Sequence, residues 1–185
     1  FSGHSDCLIG SITSRDEEAA KAIFQSLLQI GAYVSADDAY LTLRGMRTLG
    51  GRMDAHQQNG VALAKWLAKR PEVKSVLHPA LKSFTGHTTW KRDFTGASGL
   101  FGVILHPVAK PALKSLFNAL KLFGMGFSWG GFESLCIHVH PENNRTATKW
   151  SDDGPVLRIH AGLEDIDDLI ADLDRGFAAM KAAKG

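Results

Sequence analysis

Two stretches decide the fold of the C-terminal half: LCIHVH (Leu135–His140) and VLRIHA (Val156–Ala161). In each, side chains of unlike character alternate with a period of two, as in a strand whose two faces meet different surroundings. Upstream, VKSVLHP (Val73–Pro79) reads as a strand and GLFGVILHP (Gly99–Pro107) as a stronger one. Helix does not intervene between each pair of strands. That order favours an antiparallel or mixed sheet with helices on one face, an α+β layer rather than a doubly wound one.

The flanking pattern supplies the helices. Pro111–Phe123 carries Leu113, Leu116, Phe117 and Leu120 at helical spacing. From about Glu164, a last helix places Ile166, Leu169, Ile170, Leu173, Phe177 and Met180 on one stripe, with an acidic start and a basic end. Near the N-terminus, Asp6–Thr13 reads as a short strand. A helix follows with Ser14 as cap and Ala20, Ile23, Phe24, Leu27 and Leu28 on one face, stopped by Gly31. A second helix is predicted from Ser35 to Arg70, weak at Gly50 and Gly51 and ended by Pro71. Its length suits a bridge between domains, which places residues 1–60 in the tail of a preceding domain with its linking helix. Residues 61–185 then form a small sheet-and-helix domain. The fold class is α/β, with an α+β C-terminal part.

The 185 residues are 44% hydrophobic and 22% charged, with a net charge of +2. That composition excludes wholesale disorder, and the basic residues form no cluster of the kind that binds nucleic acid. No apolar run reaches membrane-spanning length and no signal peptide is visible. Cys7 and Cys136 match no zinc spacing and read as reduced thiols of a cytoplasmic protein. The chain opens at Phe1 inside what reads as a strand, so a piece of a longer protein is expected.

Arg158 lies mid-strand between Leu157 and Ile159 and therefore points away from the side they bury, sharing its face with His160. It reads either as the neutraliser of a buried acid or as a bidentate clamp for a carboxylate, and spacing does not choose. FSWGGFESL (Phe127–Leu135) implies a tight bend. Trp129 there is either a core aromatic or, with Ser128, the wall of a ligand site. Cys136, His138 and His140 share a strand face, but no further metal ligand arrives at a recognisable spacing, so no metal is expected. His4, His56, His78, His87 and His106 fall near turns or on helix surfaces, with no HExxH pattern among them.

Taken together, these motifs resemble the Cys/Met-metabolism group of pyridoxal-phosphate-dependent enzymes. GHSD (Gly3–Asp6) is similar to the segment that follows the cofactor-binding lysine, and AYLTLRGMRTLGGRM (Ala39–Met53) resembles the group's long helix. HTTWKRDFTGASGLF (His87–Phe101) and Trp129 are similar to the cystathionine β-lyase branch; γ-enzymes usually carry an aliphatic residue where Trp129 stands. The resemblance implies the end of a fold-type I large domain, a linking helix and a small C-terminal domain. It implies pyridoxal 5'-phosphate as cofactor and an amino-acid thioether as substrate. Arg158 is then the partner of the substrate α-carboxylate, and Ser128 and Trp129 line the pocket beside it. Phe127 departs from the tyrosine expected at its position, which removes a phenolic hydrogen bond. The Schiff-base lysine is expected a residue or two upstream of Phe1, in an N-terminal portion of the same protein, so these residues alone are expected to be inactive. A cytoplasmic homotetramer is also implied. A γ-synthase or γ-lyase relative, and a non-catalytic assembly fragment, are the competing readings.

Overall fold

The computed structural model describes residues 1–183. The chain divides into two compact units, Phe1–Gly50 and Gly51–Gly185. The division lies ten residues or so before the boundary expected at residue 60.

The second unit is built on a four-stranded sheet: β1 (Val73–Leu77), β2 (Leu100–Leu105), β3 (Leu135–Val139) and β4 (Val156–His160), in the order β1-β2-β4-β3. Every pairing is antiparallel. All four strands occupy stretches read as strands, two of them, β3 and β4, from period-two alternation. Leu157 and Ile159 of β4, Phe101, Val103 and Leu105 of β2 and Cys136 of β3 face one way, into the core. Opposing them are α3 (Leu49–Leu67), α5 (Lys110–Ala119) and α6 (Ile166–Ala182), through Leu63, Ala64, Leu67, Leu113, Leu116, Leu169, Leu173 and Phe177. Phe177 and Leu173 are 0% exposed, and burying a side chain of that size is worth roughly 1.5–3 kcal/mol.

On the opposite face of the sheet, Arg158 sits in register between Gly102 on β2 and Ile137 on β3. The missing side chain at Gly102 leaves the arginine room on that flank. This face is not open to solvent throughout. Ile104, Ile137, Val156 and His160 are all buried.

In the first unit, α1 (Glu17–Ile30) ends as expected at Gly31, whose φ of 68° lies in the left-handed region that glycine tolerates. Its cap is Asp16 rather than Ser14. The Asp16 carboxylate accepts from the Ala19 N–H at 2.9 Å and adds a negative charge at the positive end of the helix. α2 (Ala36–Met46) starts at Ser35, whose hydroxyl accepts from the Asp38 N–H. The single helix expected from Ser35 to Arg70 is two helices. The break is at Arg47 and Thr48, not at Gly50–Gly51, which lie inside α3. There the Arg47 and Thr48 N–H groups turn back to the Arg44 and Gly45 carbonyls in tight i→i+3 bonds. The Thr48 hydroxyl donates to the same Gly45 carbonyl, competing with helix propagation.

Asp6–Thr13 forms no strand. A strand exists only as one side of a hydrogen-bonded ladder, and all four strands of the described residues belong to the other unit. A short helix, α4 (His87–Asp93), was not foreseen: two threonines and no side-chain cap give it little local signal. Among the described residues no helix is long and apolar enough to cross a membrane.

Candidate functional site

The bend from Gly124 to Ser134 is held against β4 by three side chains of the β4–α6 region. Arg158 Nη2 donates to the carbonyls of Gly126 at 3.4 Å and Ser128 at 3.3 Å, and its guanidinium carbon stands 5.5 Å from the Phe127 ring centroid. Two residues on, the buried His160 ring reaches the next peptide groups, with Nε2 3.2 Å from the Gly131 carbonyl and 3.1 Å from the Gly130 nitrogen. Glu164, in the turn before α6, accepts from the Ser134 N–H and the Ser134 hydroxyl, each at 2.8 Å. The Ser134 hydroxyl oxygen in turn accepts from the Gly162 N–H.

Two glycines make the approach possible. Gly130 has a φ of 79°, so the chain reverses where L side chains are strained. At Gly162, an added Cβ would lie 2.3 Å from the Phe132 carbonyl oxygen.

The start of the bend is fixed from the core side. Asp172 on α6 is 0% exposed and accepts from the backbone N–H groups of Lys121, Leu122 and Phe123, at 2.8–3.1 Å. It also pairs with Arg175. Burial works to raise the Asp172 pKa, but the three N–H groups and the Arg175 charge outweigh it and hold the carboxyl below its ordinary value. From Phe123 the chain passes to Gly124, which bridges Leu135 and returns the bend to β3.

Arg158 and Ser128 are brought together, Arg158 donating to the Ser128 carbonyl, and Trp129 is the next residue of the bend. Trp129 is not a core aromatic: it is 62% exposed. The buried acid that an in-strand arginine would neutralise is missing, since no carboxylate lies within ion-pair range of Arg158 among the described residues. Among the described residues its Nε and Nη1 N–H groups meet no acceptor, a donor set suited to a carboxylate.

His56 and His78, expected near turns or on helix surfaces, are 2% and 1% exposed. His56 lies against the site, its ring centroid 5.0 Å from that of His160, and its Nδ1 donates to the Ala161 carbonyl. His160, Glu164 and Ser134 were not singled out as site residues. The signal that could have found them is local: polar residues bracketing a Gly-Gly bend and the Gly that closes on it. Cys136 is a free, buried thiol whose pKa burial pushes up to about 12, with Asp172 adding to the effect. No group of three His, Cys, Asp or Glu side chains among the described residues converges as a metal site.

A family model described as Cys/Met metabolism PLP-dependent enzyme matches residues 1–178. The chain belongs to that family. Among curated Cys/Met-metabolism relatives, a putative cystathionine beta-lyase of Rhizobium johnstonii is 45% identical, over 98% of this chain and 46% of its own length. The cystathionine beta-lyase of Escherichia coli (strain K12) is 43% identical, over 96% and 46%. A solved cystathionine gamma synthase from Xanthomonas oryzae pv. oryzae, in complex with aminoacrylate and cysteine, superposes with a TM-score of 0.87 at 32% identity. That match covers 98% of this chain and 48% of the synthase. The chain thus spans about half the length of the family members it matches. The family implies pyridoxal phosphate. Arg158, Ser128 and Trp129 include no primary amine, so none of them can form an imine with that cofactor's aldehyde.

Proposed function

We propose that this chain is the C-terminal portion of a pyridoxal-phosphate-dependent carbon–sulfur lyase that cleaves L-cystathionine, with one water, to homocysteine, pyruvate and ammonia. The observation that carries the reading is Arg158: a cation on a sheet face with two N–H positions that meet no acceptor among the described residues, beside an exposed tryptophan on a braced bend. A planar guanidinium holds a carboxylate in two bonds and so fixes the orientation of the amino acid, not only its presence. Ser128 and Trp129 form the wall next to that carboxylate. The cofactor, when bound, supplies an electron sink for the carbanion left by α-proton removal. The residues of this chain bind and orient.

Residues 1–60 then belong to the larger, cofactor-holding domain with its linking helix, and residues 61–185 to the small C-terminal domain. The lysine that carries the cofactor lies outside these residues, so the 185-residue chain by itself binds no cofactor covalently and releases no pyruvate. The complete protein is a cytoplasmic homotetramer. A γ-synthase or γ-lyase reading is kept because a γ-synthase shares the fold over 98% of this chain. Product analysis separates the two. Incubating the complete protein with L-cystathionine gives pyruvate under the β-lyase reading; 2-oxobutyrate in its place, or a condensed thioether with an activated homoserine and cysteine, refutes it.

A further inference from the structure

Arg158 and His160 stand two residues apart on one face of β4 and take hold of successive peptide groups of the same bend. Arg158 holds the carbonyls of residues 126 and 128, and His160 meets the N–H of residue 130 and the carbonyl of residue 131. Trp129 lies between the two grips. Its indole is 62% exposed, so its place is set by the backbone on either side rather than by packing around the ring.

The chemistry of the second grip is restrictive. The bend presents one donor, the Gly130 N–H, and one acceptor, the Gly131 carbonyl. A residue that satisfies both must offer one acceptor and one donor. Neutral imidazole offers both: Nε2 lies 3.1 Å from the Gly130 nitrogen and 3.2 Å from the Gly131 carbonyl oxygen and serves one of them according to the tautomer, and when Nε2–H donates to Gly131 the acceptor left for the Gly130 N–H is Nδ1 at 3.5 Å. Imidazolium offers two donors and no acceptor, which sets an N–H against the Gly130 N–H.

We infer that His160, in its neutral form, is a positioning residue that sets the location of Trp129 and thereby the affinity of the site for its amino-acid substrate. The inference rests on the reading of Arg158, Ser128 and Trp129 as a substrate pocket. His160 is 2% exposed, and burial lowers its pKa from the ordinary histidine value. The charged and titratable groups around it are His56 from α3, which adds to the lowering, and Glu133 in the bend and Glu164 before α6, which oppose it. Arg158 shares its strand face. Because the folded pKa is lowered, the grip is complete at neutral pH and is lost as pH falls through that pKa.

The test uses the complete protein with His160→Leu and His160→Gln. Glutamine keeps one donor and one acceptor at similar reach, whereas leucine keeps only bulk. Hydrogen–deuterium exchange of the peptide covering residues 125–134 reads the grip without substrate, and steady-state kinetics with L-cystathionine read the pocket. The expected result for leucine is faster exchange of that peptide and a KM raised about tenfold, from the loss of buried hydrogen bonds, with kcat changed less than threefold. Glutamine restores both and removes the rise of KM on the acid side that the native protein shows. Unchanged exchange in the leucine variant overturns the grip, and glutamine behaving as leucine overturns the donor–acceptor match. Faster exchange with unchanged KM overturns the positioning role while leaving the grip standing; Trp129→Ala separates the causes, since an unchanged KM there too overturns the pocket reading, whereas a raised KM leaves that reading intact.

Discussion

Replacing Asp172 with alanine removes the acceptor of three consecutive backbone N–H groups and the partner of Arg175 in one step. Asp172 is fully buried, and its oxygens lie 2.9 and 3.1 Å from the Lys121 nitrogen, 2.8 Å from that of Leu122 and 3.1 Å from that of Phe123. Hydrogen bonds to a charged group contribute about 1.5–3 kcal/mol each, but bonds sharing one carboxylate do not add fully. Breaking a buried ion pair from one side costs about 3–5 kcal/mol, and that range is the expected destabilisation. For a chain of this size it corresponds to a Tm lower by roughly 6–20 °C. Asp172→Asn keeps the shape and one acceptor oxygen without the charge, and loses about 1.5–3 kcal/mol. The assay is urea unfolding at pH 7, followed by circular dichroism.

The pH dependence carries the sign of the effect. The Asp172 carboxyl is held below its ordinary value in the folded chain. Its contribution is therefore present above the unfolded-state pKa, about 3.9, and is lost as pH falls through the folded value. The native chain loses stability through that window, and Asp172→Asn loses less of it. A loss under 1 kcal/mol for Asp172→Ala, or an acid limb of equal slope in Asp172→Asn, refutes the role given to this carboxylate.

Three further outcomes follow from the same contacts. Gly162→Ala puts a Cβ 2.3 Å from the Phe132 carbonyl oxygen, so the bend must shift; the variant is expected to exchange amide protons of residues 130–134 faster, and native-like protection contradicts it. Under native conditions a chromogenic disulfide reagent titrates one thiol, Cys7, while Cys136, with its pKa pushed to about 12, reacts only after unfolding. Two fast-reacting thiols contradict that burial. Asp16→Ala removes the cap of α1, a loss of local helix stability measurable as faster exchange in residues 17–20; Ser14→Ala has no such effect, and the reverse pattern would sink the assignment.

The strands were legible because period-two alternation survives in β3 and β4 and because β2 is a dense apolar run. The helices α5 and α6 were legible from their stripes. What escaped was decided by partners remote in sequence or, at one helix break, by a local competition for a carbonyl. Asp6–Thr13 has strand composition but no ladder to join, and the long helix breaks where the Thr48 hydroxyl competes for a carbonyl, a contest invisible to glycine counting. Arg158 was identifiable as a candidate, but whether an acid stands opposite it was not legible, because that depends on residues remote in sequence. Its neighbours His160 and Glu164 were hidden for a different reason. Their partners are backbone groups of residues 130–134, about thirty positions away, and backbone groups leave no trace in composition.

The measurement that bears most directly on the account is the Michaelis constant of the complete protein carrying Arg158→Ala, with L-cystathionine as substrate. If the guanidinium holds the substrate carboxylate, KM rises about 100-fold, as expected for the loss of charge-assisted hydrogen bonds, while the absorbance of the bound cofactor is unchanged. An unchanged KM, with only a lower Tm, would contradict the claim and leave Arg158 as a brace for the carbonyls of Gly126 and Ser128.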